Sequence, residues 1–405
     1  MTDTKPPSRV RPWAVAAVAA VATICNAQAA GGIDFSGSGF LTLAAGKMLG
    51  GDRGNVNDFP CPCLAVDYGQ GGVYDGRGGL QWGPDSKLGV QGSATFGAGG
   101  NGGLSLTGQA VARGARGGRV NLEWLYGSYE INEKFTLQAG RKRLPLFYYS
   151  DVQDIGFALP WVHLPPAVYG WEAVNYNGVN LLWHDQWGHW SSTLNLLAGS
   201  ESRRESGYWK IYNGRRNRTD VRWGNIAGGD LTLQRDWFEA RFVFMQSTTQ
   251  TKNVSGAWDA ATQSYDPATI DDAWTPSPAA RQRIHGAAFN ADYRNWLVRS
   301  EFVFIDRPGN NWKDFSQNLS LGYRYGKWQP MATWSSYHAN AVTRQGAQSD
   351  AQEAWTVTSL VLRRDLGASS ALKLQYDNLK EQGGPNWQPR YGNARLLTLS
   401  YELVF

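Results

Sequence analysis

Beyond its N-terminal segment, this 405-residue chain has no run approaching the ~18 apolar residues that a membrane-spanning helix needs. Its mean hydropathy of −0.43 is far below that of a helical membrane protein. Cysteine is scarce, at three residues. No H-E-x-x-H, G-x-S-x-G or phosphate-loop pattern occurs. The five histidines, His163, His184, His189, His285 and His338, fall in turns, loops or strand ends. The chain is therefore not read as an enzyme, and no cofactor or metal is expected. Charge of one sign is also lacking. Removing residues 1–29, which carry Lys5, Arg9 and Arg11 against Asp3, takes two charges from the chain's +5 and leaves +3. That excludes a polybasic nucleic-acid binder.

What is present points elsewhere. Three basic residues precede the apolar run Ala14–Ile24, and the small-x-small triplet Ala27-Gln-Ala29 follows. This is the pattern of a secretory signal peptide over 1–29, too short to span a membrane. Residues 30–405 are expected to form one domain. Glycine (48), Trp (19) and Tyr (18) are abundant, as turns and interfacial belts of a membrane barrel require. A large soluble all-β protein shares that composition.

The pattern is one of period two. In Ala394–Phe405, Leu397, Leu399, Tyr401, Leu403 and Phe405 point one way. Leu396, Thr398, Ser400, Glu402 and Val404 point the other, so the segment reads as a strand with two unlike faces. Comparable segments recur at Ile33–Lys47, Lys87–Gly97, Leu104–Arg113, Val120–Ile131, Lys134–Arg143, Ala173–Trp183, Trp190–Gly199 and Arg222–Gln234. They continue at Trp237–Thr248, Arg283–Arg294, Trp296–Asp306, Asn318–Tyr325, Trp328–His338, Ala354–Arg364 and Ala371–Asn378. Long connections alternate with short ones. Residues 48–86, 144–172, 200–221, 249–282 and 339–353 are long, whereas Asn132-Glu133, Arg235-Asp236 and Gly326-Lys327 are tight. Residues 249–281 are the most loop-like stretch and are expected to be mobile. About sixteen strands with loops sorted to one end predict an all-β, transmembrane, up-and-down antiparallel β-barrel. A soluble Greek-key sandwich would not sort its loops in this way.

Alternation also assigns sides. Leu321, Phe242, Phe244, Val298, Phe302, Leu372 and Leu374 are expected to face lipid, and Arg324, Glu239, Arg241, Arg299, Glu301, Lys373, Gln375 and Asp377 the interior. Charge on a lipid face costs ~2–4 kcal/mol at the midplane, so an interior carrying this much charge is read as wet. Trp183, Trp187, Trp190, Trp237, Trp296 and Trp328 cluster at strand ends, as interfacial girdles do. Cys61 and Cys63 lie in an exported region where oxidation is favoured. A surface-loop disulfide is the first reading, and two free or metal-binding thiols the other.

The segment Leu144–Gly170 is too apolar and too proline-rich to wave in water. Its expected place is inside the barrel, against the wall. Sixteen strands, a terminal strand ending in Phe405 and this long third loop resemble the Gram-negative outer-membrane porins. Arg141, Arg143, Leu144, Pro145, Tyr149, Ser150, Asp154 and Gly156 are similar to a pattern in less studied proteobacterial members. The P-E-F-x-G signature of the general porins is missing. The resemblance implies a third extracellular loop folded into the lumen. Asp151 and Asp154 would then face a basic wall of Arg141, Arg143, Arg241, Arg299 and Arg324. It implies a water-filled channel for small hydrophilic solutes and ions, a homotrimer, and outer-membrane lipid and lipopolysaccharide as surroundings. A non-conducting structural or adhesion barrel working through its extracellular loops is the other reading.

Overall fold

In the computed structural model, sixteen long strands form one closed antiparallel sheet, to which the two-residue strand Gln28–Ala29 adds by pairing with Asp34 and Ile33. The structure describes residues 28–29, 33–97, 103–172, 174–215, 217–254, 258–259, 264–265, 274, 279–308, 312–342, 348–382 and 392–405. Most of the expected signal segment and of residues 249–281 lies outside these. In chain order the strands are β1 Ile33–Gly51, β2 Lys87–Phe96, β3 Leu104–Arg113, β4 Val120–Glu130, β5 Phe135–Arg143, β6 Asn175–Trp187, β7 Trp190–Arg203 and β8 Arg218–Arg235. There follow β9 Phe238–Val254, β10 Ala280–Tyr293, β11 Trp296–Arg307, β12 Trp312–Tyr323, β13 Trp328–Val342, β14 Gln348–Asp365, β15 Ser370–Glu381 and β16 Ala394–Val404. A short helix, α1, spans Gly207–Asn213.

Every expected strand is found, in order. Several run further than the alternation suggested. β8 begins at Arg218 rather than Arg222, and β14 has 18 residues. These exceed the ~9–11 residues a tilted membrane strand needs, so the sheet continues past an apolar belt at the long-connection end. The six-residue turn expected at residues 184–189 shrinks to Gly188-His189, because Trp187 pairs with Trp190. Gly188 takes φ +61, which a two-residue hairpin demands.

β16 closes the sheet on β1, in register from Phe40 opposite Val404 to Gly51 opposite Ala394. The Gly39 amide donates to the Phe405 carbonyl at 2.6 Å. Closure removes both edges, so the sheet carries no unpaired backbone rim.

The two faces differ as the period-two pattern predicts. On β15, Leu372 and Leu374 are 37% and 43% exposed, whereas Lys373 and Gln375 are 1% exposed and Asp377 is fully buried. Trp187, Trp237, Trp296 and Trp328 are exposed beside the tight turns, Trp296 ringed by Tyr323 at 4.8 Å. Two small hairpins lie between β1 and β2: Gly54–Val56 with Phe59–Cys61, and Leu64–Asp67 with Gly72–Tyr74. Cys61 and Cys63 are joined by a disulfide. It is not on the surface, since Cys63 is fully buried in a core with Leu64 and Tyr74.

Candidate pore constriction

The segment Leu144–Glu172 is fixed by inward side chains spread round the sheet. Its own sequence explains why they are needed. Four prolines and two short 3₁₀ turns, Ser150–Val152 and Gly156–Ala158, leave many carbonyls without a partner in the segment. Cations from the wall supply the donors. Arg241 on β9 donates to the carbonyls of Pro145, Phe147 and Tyr148 at 3.1–3.3 Å. Lys373 on β15 donates to those of Gly156 and Trp161 at 2.6 and 2.8 Å. Arg363 on β14 donates to those of Phe157 and Leu159 at 2.7 and 3.0 Å. In return, the Tyr148 amide donates to Glu301 on β11 at 2.7 Å and the Val162 amide to Gln375 at 2.7 Å. The buried Trp161 indole donates to Thr333 on β13 at 2.8 Å. Gly156 permits this closeness. A Cβ there would stand 2.0 Å from the Glu402 carboxylate of β16.

Asp154 sits in a buried charge cluster. Arg113 on β3 grips it with two bonds, of 2.5 and 3.1 Å. Arg143 on β5 also binds it, and Lys87 on β2 lies 3.6 Å away. Glu123 on β4 completes the cluster, 2.6 Å from Arg113 and 3.2 Å from Arg143. His163 joins three parts of the chain. Its Nδ1 is 3.1 Å from Asp85, in the β1–β2 connection, and its Nε2 is 3.1 Å from Asp377 on β15. Each ring nitrogen faces a carboxylate oxygen, and both can donate only when the imidazole carries both protons.

The expected site residues therefore separate. Asp154, Arg143 and Arg241 come together at the segment, but as buried anchors of its carboxylate and backbone. Asp151 differs from them in being exposed. Its charge is felt at Lys142, whose ammonium is held by the neutral amides of Gln138 and Asn180 and lies 4.9 Å from the Tyr126 ring. Arg141 is turned away. It pairs across the sheet with Leu125, which is 47% exposed, so it shares the outer face. It forms bonds of 2.8 and 2.9 Å with Glu201, which is itself buried and pairs with the buried Trp223. The local reason is alternation: Gln138, Gly140 and Lys142 take the inward positions of β5, and Arg143 turns in only where the strand ends. Arg299 and Arg324 share Asp292 near the tight turn after Tyr293, away from Asp154. Arg299 is largely buried and also meets Tyr149 of the segment, whereas the Arg324–Asp292 pair is exposed, and an exposed pair contributes ~0–1 kcal/mol. Arg324→Ala is accordingly expected to leave the unfolding temperature in detergent within a degree or two, a change of about 0.5 kcal/mol or less.

Several members of this site were not singled out from sequence. Parity already placed Lys373, Gln375, Asp377 and Glu301 inward, and a search for charged inward positions would have found them. Arg113 and Glu123 follow the same rule. His163 carries no such signal, because its neighbours come from residues 78 and 214 positions away.

A closed sixteen-strand barrel with an apolar exterior and charged inward positions has the fold of the outer-membrane porins. The chain is similar to the outer membrane channel DcaP of Acinetobacter baumannii, with a TM-score of 0.57 and 9% identity over 94% of this chain and 100% of that one. It is also similar to an anion-selective porin from Comamonas acidovorans, with a TM-score of 0.56 and 12% identity over 92% and 100%. A third likeness is to OmpT of Vibrio cholerae in a trimer form, with a TM-score of 0.54 and 9% identity over 92% and 99%. No protein-family model and no curated protein matches the sequence.

Proposed function

We propose that this chain is an outer-membrane porin, exported by a signal peptide over residues 1–29 and admitting small hydrophilic solutes and ions by passive diffusion. The long connections are extracellular, and Leu144–Glu172 lies in the bore and narrows it. The observation that carries the reading is the split between faces. Leucines are exposed outside, while charged and amide side chains on the same strands turn inward. Lipid outside and water inside is the environment that suits both.

Assembly as a homotrimer fits one stretch of the outer face. Over β1–β4 it is flattened by Gly37, Gly92 and Gly108, with Leu106, Leu122 and Leu125 around them. Arg141, across from Leu125, lies beside it, where a protein neighbour suits its charge better than acyl chains. The trimeric OmpT form supports the same arrangement by fold alone.

The test is reconstitution. Protein refolded in detergent and added to planar bilayers is expected to give stepwise conductance increments, and its liposomes to swell in small sugars. A folded barrel that gives neither would favour the non-conducting barrel acting through its loops.

A further inference from the structure

The connection between β1 and β2 runs over residues 52–86, and its packing was not legible in its composition. Its two hairpins form a buried apolar core. Phe59, Cys61, Cys63, Leu64, Tyr68 and Tyr74 are buried together with Tyr337 of β13, Trp355 and Val357 of β14, Leu379 of β15 and Leu396 of β16. Those wall residues hold inward positions. Leu396 is fully buried, whereas its neighbour Leu397 is 36% exposed on the other face. Tyr74 reaches the wall at Gly46 of β1, where a Cβ would stand 2.4 Å from its ring. Gly46 pairs with Thr398, which is fully buried, so it too faces inward.

Other contacts hold this connection from two sides. The Tyr68 ring lies parallel to Trp355 at 6.5 Å and within 6.3 Å of Tyr208 and Tyr212 of α1. The Asn57 amide donates to the Ile211 carbonyl at 2.8 Å, and Arg203 donates to Gln70 at 2.6 Å. Asp85 meets His163 of the Leu144–Glu172 segment. The two segments share the wall, for residues 156–163 of the longer one also reach β13–β16 through Thr333, Arg363, Lys373 and Gln375. Leu144, Leu146 and Phe147 pack on inward residues of β6–β11, whereas residues 59–74 pack on β13–β16.

From this packing we infer that residues 52–86 are a second inward-folded plug, and that this plug together with Leu144–Glu172 sets the size limit of the channel. The inference rests on the porin reading. A single inward loop leaves one wall bare. Here the stretch of wall at Tyr337, Trp355, Val357, Leu379 and Leu396 carries aromatic and aliphatic residues rather than charge, and residues 59–74 cover it. The bore's free section is what two plugs leave, not one.

The experiment compares full-length protein with a variant in which residues 54–75 are replaced by a short Gly-Ser linker. Both are refolded, and β-sheet circular dichroism confirms the barrel. Single-channel conductance in 1 M KCl and liposome swelling with sugars from mono- to tetrasaccharide are then measured. The variant is expected to conduct at least twofold more and to admit larger sugars. A variant that conducts when the full chain does not would support the plug still more directly. Equal conductance and an equal sugar cutoff would overturn the second plug and leave the porin reading standing. Two folded proteins that never conduct would overturn the porin reading, and this inference with it. Should the replacement not fold, Leu64→Asp puts a carboxylate into the same core, and the same rise or its absence decides.

Discussion

Replacing Asp154 by alanine is expected to lower the unfolding temperature of the refolded barrel sharply and to raise its conductance. The carboxylate is bound by Arg113 and Arg143, whose side chains are each 1% exposed. Its removal leaves two buried guanidinium groups to share Glu123, with Lys87 nearby. Breaking a buried pair by removing one partner costs about 3–5 kcal/mol, because the other charge is left without compensation. The Leu144–Glu172 segment loses the one carboxylate that ties it to β2, β3 and β5, so it should also sit less firmly. Heat-modified migration on gels reads the first effect and single-channel conductance the second. An Asp154→Ala protein with wild-type values for both would show that the cluster does not hold the segment. Replacing Arg143 by Met in the same protein should restore part of the stability, since it removes one stranded cation.

Reversing the charge at position 151 is expected to shift ion preference more than any other single change. Asp154, Arg143 and Arg241 are consumed by buried partners, whereas Asp151 is exposed and sits near Lys142. A unit charge about 8 Å from a permeating ion, at an effective dielectric near 20, changes its energy by about 2 kcal/mol. Salt near 0.1 M, with a Debye length of about 10 Å, trims this to about 1 kcal/mol. Asp151→Lys changes the charge by two units, raising a cation's energy and lowering an anion's by about 2 kcal/mol each, so the cation-to-anion permeability ratio should fall by roughly two to three orders of magnitude, at ~1.4 kcal/mol per decade. The reversal potential in a tenfold KCl gradient reads it. Arg324→Ala, at the tight-turn end, is the control that should leave it unmoved. If both variants match the wild type, the passage runs elsewhere.

How much of this was legible beforehand follows the range of the interactions. Ile33–Lys47 or Ala371–Asn378 declare themselves by alternation, a local property with a period of two residues. Tight turns such as Asp236-Trp237 came one residue away from their expected place, since ladder pairing of Arg235 with Phe238 fixes a hairpin, not composition. Arg141 and Arg143 look alike in the sequence. Only the register of β5 against β4 and the end of that strand send one outward and the other to Asp154. The cysteines show the same limit. Their spacing of two left a disulfide and free thiols both open, and nothing local said that residues 59–74 would be buried.

By itself the sequence determined the sheet: the number and order of strands, the side that most strand residues take, and the sorting of long and short connections. It could do so because strand faces and turns are set by neighbours along the chain. The tertiary structure decided what fills the interior. Which cation meets a carboxylate, which meets a carbonyl, and which wall residues bury residues 59–74 depend on strands far apart in sequence meeting across a closed cylinder. No local pattern encodes those meetings, because each requires the whole circumference to be in place before its two partners are within reach.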